Sequence, residues 1–382
     1  MRGGSTIPLH IGSRLQYDAE NDRVSNRYIN ELLKQPVLER QGDGMRSFAS
    51  IIMNVLTAEQ TISLIDEPEA FLHPPQARLL GKMLVKNKPN DRQLFISTHS
   101  EDFLKGILDS DSQNIKIVRI NREENINKIN VLGNTDITEL WSNPLLRYSN
   151  ILSGLFHRKV VVCESDTDCR FYQAVMNAMF DGEEHVSPDI LFTHCGGKDR
   201  IHTVVSALRS LNVNVVATPD IDILNDKRKF EIITTSFGVN WADISTYWTV
   251  IDNYVKSQRH QLTTEEVKSK IEEILFVVTD TSLPKDTARE INKTVKMASA
   301  WTKIKATGIT FFSGTSAYTA FQEIDKICRP KGLFIVPEGE IESFCRVVQG
   351  HSNDWLNDVL IRDLKAGEEF EQARRFVNDI IQ

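Results

Sequence analysis

The sequence predicts an α/β protein made of two modules, each carried by a mainly parallel sheet. Three observations predict it. Short continuous apolar runs, Ile62-Ser63-Leu64-Ile65 and Leu94-Phe95-Ile96, alternate with helical patterns in the first third of the chain. A second such series follows, with Val160–Cys163, Ile190–Thr193, Val213–Ala217 and Leu333–Val336 as its apolar runs. Both series place acidic residues just after the runs. Strands buried on both faces read as unbroken apolar segments, and ligands of open α/β sheets gather beyond their carboxyl ends.

Taken in order, the first module has a strand at 61–66, a helix from Pro74-Pro75 to about Val85, a strand at 93–97, a helix near 101–108 and a strand at Ile115–Ile120. Proline opens a helix readily because its missing N–H is not needed there. Residues 1–140 form this module. Residues 141–158 read as a connector, broken by Asn143-Pro144, which leads into the strand at Val160. The second module, 159–382, contains a mostly helical insertion from about Asp226 to Phe312. The chain of 382 residues, 41% hydrophobic and 25% charged, is long enough for two or three cores. Its net charge of -7 excludes a protein coated in nucleic acid all over, but not a nuclease with a local basic face. The five cysteines show neither disulfide nor metal spacing, which predicts a reducing cytoplasm. No stretch has the length of a membrane span, and no apolar signal core opens the chain, so no membrane partner is expected.

The chemistry sits after the strands. Asp66 and Glu67 close the first strand, where one carboxylate would hold Mg²⁺ and the other would orient water toward a γ-phosphate. Ser97-Thr98-His99-Ser100 closes the second. No Gly-x-x-x-x-Gly-Lys-Ser/Thr loop occurs in these residues. In the second module Glu164 and Asp168 follow one strand, and Asp220 and Asp222 another. Residues two apart in extended backbone project to the same side, so the last pair would converge on one cation. Oxygen-only ligands suit hard cations, Mg²⁺ or Mn²⁺, and two ions about 4 Å apart would serve phosphodiester hydrolysis. Cys195-Gly196-Gly197-Lys198 is a turn that lets backbone N–H groups approach phosphate, with Lys198 to neutralise charge. His73, His194 and His202 belong to no metal-spaced cluster and read as structural. In the insertion Lys285, Arg289, Lys293 and Lys296 recur at helical spacing opposite Ala288, Ile291, Val295 and Ala298, giving a cationic face for phosphates or a solvated surface.

The order Glu164-x-x-x-Asp168, Gly196-Gly197-Lys198, Asp220-x-Asp222 and Glu338-Gly339-Glu340-Ile341-Glu342 resembles the Toprim domain of the OLD (overcoming lysogenization defect) family of ATP-dependent endonucleases. The first module resembles part of that family's ABC-type ATPase head. The resemblance implies Walker B roles for Asp66 and Glu67, a γ-phosphate-sensing role for His99, and a signature-like loop at Gln41–Met45 in which Gly42 and Gly44 cap ATP bound to an opposite subunit. It implies metal binding by Glu164, Asp168, Asp220, Asp222 and one of the late glutamates, Glu340 or Glu342. DNA as substrate, assembly as a dimer and, for several members, defence against phage are implied likewise. Ser165 stands where family members usually have glycine, and a left-handed backbone there would be strained with serine. The absent phosphate loop predicts a truncated protein or a separate subunit that brings it. The function expected is metal-dependent, nucleotide-gated DNA cleavage. The alternative is a non-catalytic DNA-binding or assembly subunit with a relict head and a relict Toprim site.

Overall fold

The computed structural model describes residues 8–18, 22–57, 59–110, 114–123, 125–132, 141–142, 144, 150–182, 187–258, 264–278, 282–297 and 300–382. It divides into one unit of Met1–Val118 with Val131–Asn143, and a second of Arg119–Asn130 with Pro144–Gln382.

In the first unit a short helix α1 (Asn26–Leu32) precedes α2 (Asp43–Thr57) and the strand β1 (Ile62–Asp66). α3 (Pro74–Asn87) then leads to β2 (Gln93–Ser97) and α4 (Glu101–Leu108). β1 and β2 run parallel, with Ile62 opposite Gln93 and Asp66 opposite Ser97, so both strands end level. Local signals fix the helix starts: Gln76 accepts from the His73 N–H at 3.3 Å, and the Ser100 hydroxyl accepts from Phe103 N at 3.2 Å. Val55, Ala77, Leu80, Leu84 and Phe103 form the core, with Ile65, Leu94 and Ile96 packed against it from one side of the sheet. On the other side Ile62, Leu64 and Phe95 are exposed. α3 and α4 cross at Gly81 and Gly106. A Cβ on Gly106 would penetrate the Arg78 backbone, and one on Gly81 would meet the Phe103 carbonyl oxygen, so only glycine permits this approach.

A two-stranded ribbon, β3 (Ile117–Glu123) with β4 (Ile126–Leu132), starts two residues later than the sequence suggested. Its Arg119 is buried and donates to three main-chain carbonyls of the second unit: Leu155 (3.0 Å), Asn212 (2.7 Å) and His157 (2.8 Å).

The sheet of the second unit has β5 (Lys159–Cys163) between β6 (Ile190–His194) and β7 (Val215–Thr218), all parallel. Leu333–Val336 lies beside β7 through a bridge from Ala217 to Leu333, with Phe334 N donating to Ala217 O and Val336 N to Pro219 O. It does not extend into a regular strand, because Pro219 has no N–H to return and Pro337 ends the run. α5 (Asp166–Phe180) follows β5 and α6 (Ile201–Ser210) follows β6. After β7 come α7 (Lys227–Ser236), α8 (Trp241–Ser257), α9 (Thr264–Phe276), α10 (Lys285–Met297), α11 (Ala300–Thr307) and α12 (Ser316–Cys328). α13 (Ser352–Leu360) and α14 (Glu371–Ile381) close the chain. The main core lies between α5 and the last two helices, where Phe171, Tyr172, Phe344, Trp355 and Phe376 stack at centroid distances of 5.2 to 6.4 Å. Lys285 and Arg289 are exposed on α10, whereas the side chains of Lys293, Val295 and Lys296, and Ala298 altogether, lie outside the described residues.

Candidate functional sites at two sheet edges

In the first unit the level ends of β1 and β2 bring together Asp66, Glu67 and His99. Ser97 donates its hydroxyl to Asp66 Oδ1, and His99 Nδ1 lies 3.0 Å from Glu67 Oε1. Glu67 has φ of 43°, a left-handed conformation rare for a residue with a Cβ. Such backbone persists only where its surroundings hold it, here a bond from Glu67 N to Ser97 O at 3.0 Å. Glu69 is the residue of this edge that the motif reading left unassigned. It is buried, and its Oε1 accepts from Thr98 Oγ1 at 2.5 Å and from His99 N at 3.3 Å, which fixes the loop carrying His99. Gly42 and Gly44 stand at the start of α2, with Gly44 beneath the Phe71 carbonyl.

The second edge is denser in charge. Glu164, Asp220 and Asp222 offer ligand atoms within 4.8 Å of one another. Glu164 follows β5, and its Oε1 accepts from Asp220 N at 3.1 Å, which ties the first carboxylate to the turn bearing the other two. Lys198 Nζ lies 2.8 Å from Asp222 Oδ2. The turn at Gly196 and Gly197 has φ of 73° and 118°, values that glycine adopts freely, and Gly197 N donates to Glu164 O at 2.9 Å. The motifs therefore meet: the two-carboxylate loop, the glycine turn and the first glutamate share one edge.

Asp168 stands apart from this trio. Its Oδ2 accepts from Ser165 N at 2.9 Å and its Oδ1 from the Ser165 hydroxyl at 2.8 Å, while Ser165 Oγ caps Asp168 N. Ser165 has φ of -127°, extended backbone, so serine carries no strain here and instead starts α5. The strain expected from replacing glycine does not arise. Glu340 reaches the trio through a lysine, and with Glu342 and His351 it forms a second group of ligand atoms within 4.8 Å. Glu342 also accepts from Ser352 N at 2.9 Å. Glu338 belongs to neither group.

Burial, followed by the Asp222 charge, pushes Glu164 up to about 7. Asp220 is raised by burial and then by Glu164. Asp168 is raised by burial against the opposing donors of Ser165. A cluster that resists full ionisation by itself is one that a cation would complete. Asp222 Oδ1 is buried without a hydrogen-bond partner, an orphaned acceptor beside two further carboxylates. The donor set, oxygen only and negatively charged, fits a hard divalent cation.

One cation at this edge had no signature in sequence. Lys305, from α11, lies 2.8 Å from Asp220 Oδ2, 3.2 Å from Glu340 Oε2 and 3.9 Å from Asp222 Oδ2. Burial acts to lower its ammonium, but Asp220, Asp222 and Glu340 outweigh that and hold it above its ordinary value. Nothing in the helical pattern of α11 distinguishes this lysine from Lys303.

Comparison with known proteins agrees with this geometry. Residues 8–104 match the family described as an AAA domain, putative AbiEii toxin, type IV TA system. Residues 155–222 match the TOPRIM domain of overcoming-lysogenization-defect-like proteins. The chain is thus an ATPase-like domain followed by an OLD-like TOPRIM domain. Among individual proteins it is similar to the Old nuclease of Escherichia phage P2, 24% identical over 172 residues. That match covers 44% of this chain and 28% of the relative's length. The TOPRIM match ends at Asp222, so Lys305 and the segment Glu338–Glu342 lie beyond it.

Proposed function

We propose that the chain is a divalent-cation-dependent endonuclease that cuts DNA phosphodiesters at the second edge, gated by nucleotide at the first in an assembly that supplies a phosphate-binding loop. The convergence of Glu164, Asp220 and Asp222 carries this reading. Likeness to the Old nuclease and the match to a TOPRIM family support it. Glu164, Asp220 and Asp222 would hold Mg²⁺ or Mn²⁺, with Glu340 beside them and Asp168 fixing the Ser165 turn. When bound, such an ion activates water and stabilises charge on phosphate oxygens. Lys198 would neutralise a phosphodiester brought to this edge, from a glycine turn that the bond from Gly197 N to Glu164 O ties to the carboxylates. In the head Asp66, Glu67 and His99 would act on a nucleotide held by another segment, with Gly42 and Gly44 toward an opposite subunit. A dimer or higher assembly in the cytoplasm and a role in phage defence belong to the same proposal.

Plasmid DNA tests the reading. With Mg²⁺ or Mn²⁺ the full chain is expected to nick supercoiled plasmid, and Glu164→Ala or Asp220→Ala to abolish nicking while leaving the circular dichroism spectrum unchanged. Cleavage that survives EDTA, or persists in the double variant, would rule the site out.

A further inference from the structure

We infer that Lys305 is an internal cation of the carboxylate cluster that competes with a divalent ion for the oxygens of Asp220 and Glu340. The inference rests on the cation-site reading above and extends it to the helical insertion, which lies outside both matched domains.

Glu164, Asp220, Asp222 and Glu340 share a half-buried space, in which four carboxylates repel one another unless cations intervene. Two lysines do so differently. Lys198 arrives from the turn after β6 and forms an ion pair with Asp222 Oδ2. Lys305 bridges, with one Nζ serving Asp220 and Glu340, carboxylates from two separate segments. A divalent cation needs these same lone pairs, and an oxygen that already accepts from an ammonium is not available to it at full strength.

The backbone under Lys305 is anchored, so its position is not that of a stray surface lysine. Ser343 Oγ lies 3.2 Å from both the Lys305 and the Ala306 carbonyl oxygens, which share its single proton. Gly339 lies so close to the Lys305 carbonyl that a Cβ there would penetrate it. Ile309 N donates to Pro337 O at 2.8 Å, and Ile221 N to Gly339 O at 3.0 Å. α11, the segment 337–343 and the Asp220–Asp222 turn are thereby stitched into one frame. Lys305 reaches from that frame to the carboxylates through its side chain. Loading the site thus means exchanging an ammonium for a metal ion, and the position of α11 sets how readily that happens.

Mn²⁺ binding measured by titration calorimetry on the full chain decides the matter. Lys305→Met is expected to bind Mn²⁺ at least about tenfold more tightly than wild type, because a competing charge within 4 Å is gone. Lys305→Arg should stay within about threefold of wild type. Mn²⁺ should also raise the melting temperature of the methionine variant more than that of wild type. Equal or weaker binding by Lys305→Met overturns the inference while leaving the metal site standing. Absence of Mn²⁺ binding in both proteins refutes the cation-site reading and the inference with it. Should the methionine variant be unfolded without metal, recovery of its native circular dichroism on adding Mn²⁺ supports the inference, and failure to recover overturns it.

Discussion

Replacing Arg119 with methionine should destabilise the second unit more than any change on its surface. The guanidinium is buried and gives three hydrogen bonds, at 2.7 to 3.0 Å, to carbonyls of Leu155, His157 and Asn212. Two of those carbonyls lie just before β5, the central strand whose end carries Glu164. Methionine keeps most of the apolar stem but donates nothing, so three acceptors lose their donor in a place water reaches poorly. Each charge-assisted bond contributes about 1.5–3 kcal/mol, and a buried acceptor left without a donor costs about 1–3 kcal/mol. We take ~3 kcal/mol as the net, because some strain relaxes and some desolvation of the ion is recovered. For a unit of this size that corresponds to a fall in melting temperature of roughly 6–12 °C. Urea unfolding followed by tryptophan fluorescence reads it directly, since Trp248 and Trp355 are buried reporters. A loss below about 1 kcal/mol would show that the carbonyls find other donors and that the arginine does not clamp the ribbon.

Two further outcomes follow from the same structure. Burial pushes Glu338 from an ordinary 4.5 up to about 7, so the folded chain holds its proton where the unfolded chain releases it. That stabilisation is complete below about pH 4.5 and is lost as pH rises through 7, worth up to ~3 kcal/mol. Glu338→Gln should flatten the decline in metal-free stability between pH 5 and 8, and a profile superimposable on wild type would contradict the burial argument. Gly106→Ala should lower the stability of the first unit by ~1–3 kcal/mol despite alanine's better helix propensity, as seen by faster limited proteolysis of 74–108. Unchanged cleavage would mean that the helices part without cost.

The strands were legible where their chemistry is local. Ile62–Asp66, Gln93–Ser97 and Lys159–Cys163 follow from apolar runs that end in polar turns, and the structure sets them within a residue or two of that reading. The trio Glu164, Asp220 and Asp222 was legible for the same reason, because parallel strands deliver whatever follows them to one edge. Ser165 was read through a glycine preference, yet its hydroxyl satisfies Asp168 N from an extended backbone that the sequence does not reveal. Leu333–Val336 looked like a fourth strand, but Pro219 opposite it interrupts the ladder, a tertiary fact invisible in the run itself. Lys305 and Arg119 had no local mark at all. Each owes its place to residues distant in the chain, and no periodicity encodes such a meeting.

The crossing of α3 and α4 through Gly81 and Gly106 has a mechanical meaning for the head. α3 begins after the loop that carries Asp66, Glu67 and Glu69, and α4 begins directly after the loop that carries His99. With backbone seated on backbone there is no side-chain cushion to absorb sliding, so the two helices behave as a single strut. A shift imposed on either loop is inherited by the other. The acidic pair and the histidine are therefore held in one frame, and a displacement at either loop reaches the far ends of both helices together.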